Sequence, residues 1–344
     1  MGSRADTGGP PIVRAAHLIV ACDVLREIGA PVEGGLRRTG LPGLIEELPN
    51  EYVLMPLALD WVQRCGRDLD PSELGFLAAQ RSSLGTLAAP LRQAVLDAPT
   101  GFARIAAFRR LAHHENCSLH IEPQRVGTNL RIAADTDRCR GHGAHVASEW
   151  LQLQAIVSVV RSVAGPDWVP EEMTFACGAA RIPAAARAEY PNTRFVVGRA
   201  HTSVLVPAAL LSLPVPDSEI PTDPRSGGSL PKDDPCYVRR LRRIVRPYLA
   251  QGNPGIDRLA EVVGTSRRSF QRKLSQHGTT WSGVLTSARH ELACELLADS
   301  SYKVIDVAYA TGYEHAQHFA RAFRQLAGVS PRTYRSELRR RSVA

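Results

Sequence analysis

The sequence predicts two bodies of different class, an α+β domain followed by an all-α domain that carries two helix-turn-helix units. Three observations predict it. Residues 232 to 344 hold 20 Lys plus Arg against 10 Asp plus Glu, while residues 1 to 231 hold 22 against 24, so the net positive charge lies entirely in the last third. Between the two parts, residues 213 to 235 contain six prolines and the pair Gly227 and Gly228, with neither helical nor strand periodicity, which reads as an interdomain linker. Beyond the linker, a helix, a glycine and a second helix follow one another twice. The expected boundaries are a domain over 12–213, a linker over 214–234 and a domain over 235–341.

The first domain is read from its apolar pattern. Helices are expected near 12–29, 56–68, 84–98, 101–114 and 144–164, and strands near 117–122, 128–134, 172–177 and 194–206. The 344 residues are 44% hydrophobic and 22% charged, an ordinary globular composition. The seven cysteines, at 22, 65, 117, 139, 177, 236 and 294, include no C-x-x-C pair, which argues against a disulfide framework or a zinc ribbon and favours a reducing cytoplasm. The N-terminal stretch shows no signal-peptide pattern, and no window approaches the roughly 20 apolar residues of a membrane span. No membrane partner is expected.

In the second domain, Ile256, Leu259, Ala260 and Val263 fall at i, i+3, i+4 and i+7 and make one apolar helix face. Gly264 ends that helix. Ser266 is the expected N-cap of the next, which turns Phe270 and Leu274 inward. The layout recurs with Val304, Val307 and Ala308, then Gly312, then Phe319 and Phe323. A small residue such as Ala260 or Ala308 lets two helices cross closely, and the glycine four residues later supplies the positive φ of the turn. The exposed face of the second helix carries Arg268, Gln271 and Arg272 in the first copy, and Gln317, His318, Arg321 and Arg324 in the second. Arg pairs with guanine O6 and N7 and Gln with adenine N6 and N7, so these side chains suit base edges in a major groove. Between the copies one amphipathic helix of roughly 19 residues would span about 28 Å, close to the roughly 34 Å between successive major grooves on one face of the duplex. Arg339, Arg340 and Arg341 are expected past the last helix turn, as a source of nonspecific attraction.

At these residues the chain resembles a known family. Leu259, Ala260, Gly264, Ser266, Phe270, Arg272, Arg289, Ala293 and Leu296, followed by the run IDVAYATGYEHAQHFARAFRQLAGVSPRTYR, are similar to the DNA-binding domain of AraC/XylS-type transcription regulators. The resemblance implies base contacts at Arg268, Gln271, Arg272, Gln317, His318 and Arg321, with support from Ser266, Arg267, Ser269, Lys273, His315 and Arg324. Many members carry small polar residues at the start of the second reading helix where this chain has His315, Ala316 and His318, so the base preference there does not carry over. The first domain resembles the effector-binding and dimerisation domain of a large branch of these regulators, of a non-cupin type because the chain is read as opening with helices. The implied partners are double-stranded promoter DNA, a small-molecule effector, a second copy of the chain and, for an activator, RNA polymerase.

Other chemistries have weaker support. G-x-S-x-G, G-x-x-x-x-G-K-[ST], H-E-x-x-H and G-x-G-x-x-G are all absent, so the common catalytic motifs have no carrier and no enzyme is expected. His113, His114, Cys117 and His120, with Cys139, His142 and His145, are metal-ligating types within a short stretch, and a metal- or haem-sensing regulator is one alternative. They are better explained as a helix end, a strand start and a glycine-bearing loop, so neither metal nor cofactor is expected. A second alternative, this DNA-binding domain joined to a repair enzyme, would need a zinc-held cysteine cluster and a reactive cysteine in a basic setting. Trp61, Phe76, Phe102 and Phe108 are candidates to line an effector pocket, although aromatics at helical spacing more often fill a core.

Overall fold

The computed structural model describes residues 9–66, 69–136, 139–212, 237–250, 255–299 and 301–343. The proline-rich segment expected as a linker lies outside them. The chain divides into two compact units, Pro11–Asp233 as the first and Asp234–Ala344 together with Met1–Pro10 as the second.

The first unit opens with a strand, not the expected helix: β1 (Ile12–Arg14) pairs antiparallel with β2 (Tyr52–Leu54), with Ile12 opposite Leu54. The backbone of Ile12–Arg14 is committed to this pairing and to Glu115 and Cys117, so the helix begins only at α1 (Ala16–Glu27). Next come α2 (Val32–Thr39), α3 (Met55–Cys65) and α4 (Pro71–Gln80). Absent from the expected helices, α4 nonetheless has a plain start signal, because Asp70 accepts the Ser72 N–H at 2.8 Å and Pro71 occupies the first turn. The helix expected over 84–98 is a 3-10 turn at Leu84–Thr86 and then α5 (Ala89–Leu96), separated by extended backbone at Leu87 and Ala88. Following it, α6 (Gly101–Leu111) tightens into a 3-10 turn at Ala112–His114.

The main sheet has five strands in the order β3 (Leu119–Val126), β4 (Asn129–Thr136), β7 (Thr202–Pro207), β5 (Glu172–Thr174) and β6 (Arg194–Val196). Only β5 and β6 run parallel. The single strand expected over 194–206 is two, broken where Gly198 takes φ +70°. The helix α7 (His145–Ala164) lies against this sheet and against α4. A Cβ at Gly75 would come 2.4 Å from Ala147 Cα, so glycine is what lets α4 and α7 touch backbone to backbone. Trp150 of α7 anchors the core, with Phe76 at 5.1 Å and Phe175 at 4.8 Å in edge-to-face contact and its indole N–H on Ser72 Oγ at 2.8 Å. Two short helices complete the unit, α8 (Ala184–Glu189) and α9 (Ala208–Leu211).

Described residues of the second unit are all helical or in turns: α10 (Tyr237–Val245), α11 (Ile256–Val262), α12 (Arg267–Gln276), α13 (Trp281–Ala298), α14 (Val304–Ala310), α15 (Ala316–Ala327) and α16 (Pro331–Val343). Its spine is α13. Around Ala288, α13 packs with Val245 and Leu249. Around Ala293 and Leu297 it packs with Val307, Ala308, Phe319 and Phe323. Arg339, Arg340 and Arg341, expected beyond the last helix turn, lie within α16.

Candidate functional site

The two turns repeat each other bond for bond. In the first, Gly264 at φ +69° donates to the Glu261 carbonyl at 3.0 Å, and the Thr265 N–H reaches Ala260 at 2.9 Å. In the second, Gly312 at φ +80° donates to Tyr309 at 2.9 Å, and Tyr313 reaches Ala308 at 2.9 Å. These bonds satisfy helix-end carbonyls while turning the chain sharply. Ala260 and Ala308, 1% and 0% exposed, are the small residues at the two crossings.

Beyond the glycine the copies diverge. Ser266 caps α12 by accepting the Ser269 N–H at 3.2 Å, as expected. The second turn is one residue longer, and His315 at the same place makes no side-chain cap; its ring meets His318 edge-on at 5.4 Å. Phe270 and Leu274 hold α12 inward, and Phe319 and Phe323 hold α15. In consequence Arg268, Gln271 and Arg272 share the outer face of α12, and Gln317, His318, Arg321 and Arg324 that of α15, all of them exposed.

The supporting set is less uniform. Arg267 points back to Asp257 at 2.9 Å, an exposed pair of small energetic worth. Lys273 is half-buried, with its ammonium 4.5 Å above the Tyr237 ring, so part of its charge is turned toward α10. Ser269 is also half-buried, whereas Ser266 and His315 are exposed.

What fixes α12 and α15 relative to each other is α13, whose 18 residues span about 27 Å. Trp281 at its start meets Phe270 edge-to-face at 6.0 Å, and the Arg289 guanidinium lies 5.3 Å over the Tyr313 ring. A Cβ on Gly312 would sit 2.2 Å from the Leu249 carbonyl oxygen, so the second turn is pressed onto the segment after α10.

The first unit contains an apolar cleft between α1, α3, α4 and α7. Of the four candidate aromatics, Phe108 lines it. Phe76 packs on Trp150 instead, and Trp61, fully buried, packs beside Gly35 and Cys65 where α2 meets α3. Phe102 is 43% exposed, over a shallow depression with Arg109, Arg110 and Arg125. These three sit elsewhere because their helices turn other faces to the cleft.

Sequence reading missed the polar floor of the cleft. Glu115 accepts from Arg14 Nε at 2.7 Å and from the Ala88 N–H at 2.8 Å, and its Oε2 is 2.8 Å from His17 Nε2. Burial pushes the Glu115 carboxyl up, but the Arg14 guanidinium, His17 and the Ala88 N–H overcome it and hold the group at about 2. No motif announces this cluster, since its members come from three distant segments, around Arg14 and His17, at Ala88 and at Glu115.

The histidine and cysteine stretch is dispersed. The carbonyl of buried His114 takes the Tyr52 hydroxyl at 2.8 Å, and Cys117 Sγ accepts the Ile12 N–H at 3.2 Å. His120 lies on the exposed face of β3, and His142 pairs with Asp60 at 3.1 Å. Buried His145 starts α7, where desolvation, then Arg140 and His142, push it down to about 4 against the pull of Asp135. Among the described residues no group of three His, Cys, Asp or Glu is placed to hold a metal ion.

Two matched turns fixed to one helix, each presenting basic and amide side chains, define a double helix-turn-helix protein of the DNA-binding class. Comparison with known proteins makes this specific. Residues 29–215, more than half of the chain, match the arabinose-binding domain of AraC transcription regulators, N-terminal, and residues 259–337 match a helix-turn-helix domain family. The chain belongs to the AraC family and is a DNA-binding transcription regulator with a small-molecule effector domain. The HTH-type transcriptional regulator VirS of Mycobacterium tuberculosis is 23% identical over 333 residues, covering 94% of this chain and 96% of its own. The ornithine utilization regulator of Pseudomonas aeruginosa is 35% identical over 97 residues, 28% of this chain and 29% of its own. The crystal structure of the transcriptional regulator CdpR from Pseudomonas aeruginosa is 18% identical, covers 89% of this chain and 96% of its own, and superposes with a TM-score of 0.39. No helix among the described residues is long and apolar enough to cross a membrane.

Proposed function

We propose that α12 and α15 enter two successive major grooves of promoter DNA, with Arg268, Gln271 and Arg272 reading one and Gln317, His318 and Arg321 the other. The observation that carries this reading is the repetition of the same turn at both ends of one rigid helix. Ser266, Arg267, Ser269, Lys273, His315 and Arg324 position the domain on phosphates, with Arg267 and Lys273 exchanging their present partners for DNA. The domain over 12–213 takes the effector and pairs two chains, and the segment 214–234 joins it to the DNA-binding domain over 235–341. Effector binding shifts how a homodimer presents its two DNA-binding domains, a change of population and not of chemistry. On this reading the protein works in the cytoplasm without enzymatic activity, metal or cofactor, and as an activator it would also touch RNA polymerase. Footprinting the full chain on fragments selected from genomic DNA tests the reading: each chain should protect two patches about one turn of DNA apart, and a single protected groove per chain would refute it.

A further inference from the structure

We infer that the cleft between α1, α3, α4 and α7 takes an uncharged, largely apolar small molecule with one hydrogen-bonding end, and not a polyhydroxylated sugar or an organic acid. The inference rests on the effector reading above and names the chemistry of its ligand.

The walls come from Ala21, Leu59, Ala78, Leu151 and Ala155 among others, with polar side chains confined to the Glu115 side and to Ser148 and Gln152 on α7. Most of that polarity is already used. Both oxygens of Glu115 are engaged, one by the Ala88 N–H and the other by Arg14 and His17. Ser148 donates to the His145 carbonyl at 2.7 Å, the Gln152 amide N–H₂ to Thr136 Oγ1 at 3.3 Å, and Asn116 Oδ1 accepts the Ser118 N–H at 3.0 Å. The Asn116 amide nitrogen and the Gln152 carbonyl oxygen retain capacity, a donor or an acceptor for a hydroxyl, carbonyl or amide on the ligand.

Charge and hydroxyl count exclude the other classes. The His17 ring on the lining already faces Glu115, and Glu115 is matched by Arg14 behind it. A carboxylate or phosphate entering here would lose its hydration without gaining a counter-ion. A pentose would bury several hydroxyls against aliphatic carbon, each without a partner. An uncharged apolar molecule loses nothing comparable and gains from leaving water.

The test uses the full chain with the uncharged fluorophore N-phenyl-1-naphthylamine, displaced in turn by 1-decanol, decanoate and L-arabinose. Decanol should displace the probe and raise the melting temperature with the logarithm of its concentration. Decanoate should be at least ten-fold weaker and arabinose inert. Ala155→Phe, which fills the cleft, and Leu151→Gln, which makes its wall polar, should each weaken probe binding at least ten-fold while far-ultraviolet circular dichroism and DNA binding persist. Decanoate equal to or better than decanol, displacement by arabinose, or probe binding unchanged in both folded variants would overturn the assignment. A sugar or acid whose cleft binding alters DNA affinity would overturn the ligand class and leave the effector reading standing. An apolar ligand that binds the cleft yet leaves DNA affinity unchanged would keep the ligand class and overturn the effector reading.

Discussion

Replacing Arg14 with Leu removes the cation that compensates a carboxylate with nowhere else to turn. Arg14 and Glu115 are 1% and 3% exposed, and the guanidinium also donates to Asn50 Oδ1 at 2.9 Å and to the Thr86 carbonyl. Holding Glu115 at about 2, against its ordinary 4.5, stabilises the folded state by about 3 kcal/mol. Breaking a buried pair by deleting one partner costs about 3 to 5 kcal/mol, so the two routes agree. In a unit of this size that lowers the melting temperature by roughly 6 to 20 °C. The assay is thermal unfolding of the full chain at pH 7, followed by circular dichroism. Because the folded value is depressed, the stabilisation is fully present above 4.5 and is lost as pH falls through about 2; in Arg14→Leu burial is opposed only by His17 and the Ala88 N–H, so that acid-induced loss shrinks. The double variant Arg14→Leu with Glu115→Leu should recover much of the stability, since no buried charge is then left alone. A single variant within about 1 kcal/mol of wild type, or a double variant worse than the single, would refute the reasoning.

His145 is held neutral, its value lowered from 6.5 to about 4 chiefly by burial, so its contribution is whole above 6.5 and lost as pH falls toward 4. Urea unfolding of His145→Phe between those values should show a flatter pH dependence than wild type, distinct from the more acid window of Glu115. Gly264→Ala meets no atom within 4 Å and should cost only the strain of its positive φ, about 1 kcal/mol. Gly312→Ala adds a clash with the Leu249 carbonyl and should destabilise by several times more in a denaturant titration. Arg268→Ala or Arg321→Ala should cost roughly 1 to 3 kcal/mol on the selected site and relax preference at a few base pairs. Changing Arg339, Arg340 and Arg341 together should weaken binding to all sequences alike and flatten its salt dependence, and a shift in preference as large as that of Arg321→Ala would contradict the division of roles.

Local physics made the DNA-binding half legible from sequence. Helical periodicity, a capping serine and a glycine at a forced positive φ involve residues within a few positions of one another, so Ile256 through Leu274 and Val307 through Phe323 announce their turns and their outer faces without help from the rest of the chain. Even there, the turn before α15 is one residue longer than its counterpart, and only the packing of Phe319 and Phe323 fixes the register that turns Gln317 and Arg321 outward. In the first unit far less was local. Nothing near Arg14 in the sequence signals burial, and it is buried because Glu115, 101 positions later, returns beside it. Phe76 and Trp61 share a helical pattern with true cleft residues, yet which face meets a cavity depends on how α4 rotates against α7, set by Gly75 against Ala147, and on how α3 packs on α2, set by Gly35 against Trp61 and Cys65. The sequence by itself determined the helical second unit, its two turns and the outer faces of α12 and α15, because short-range hydrogen bonds and periodicity specify them. Tertiary structure alone decided the cleft and its charge balance, because a cavity is what remains where distant segments meet without filling the space between them.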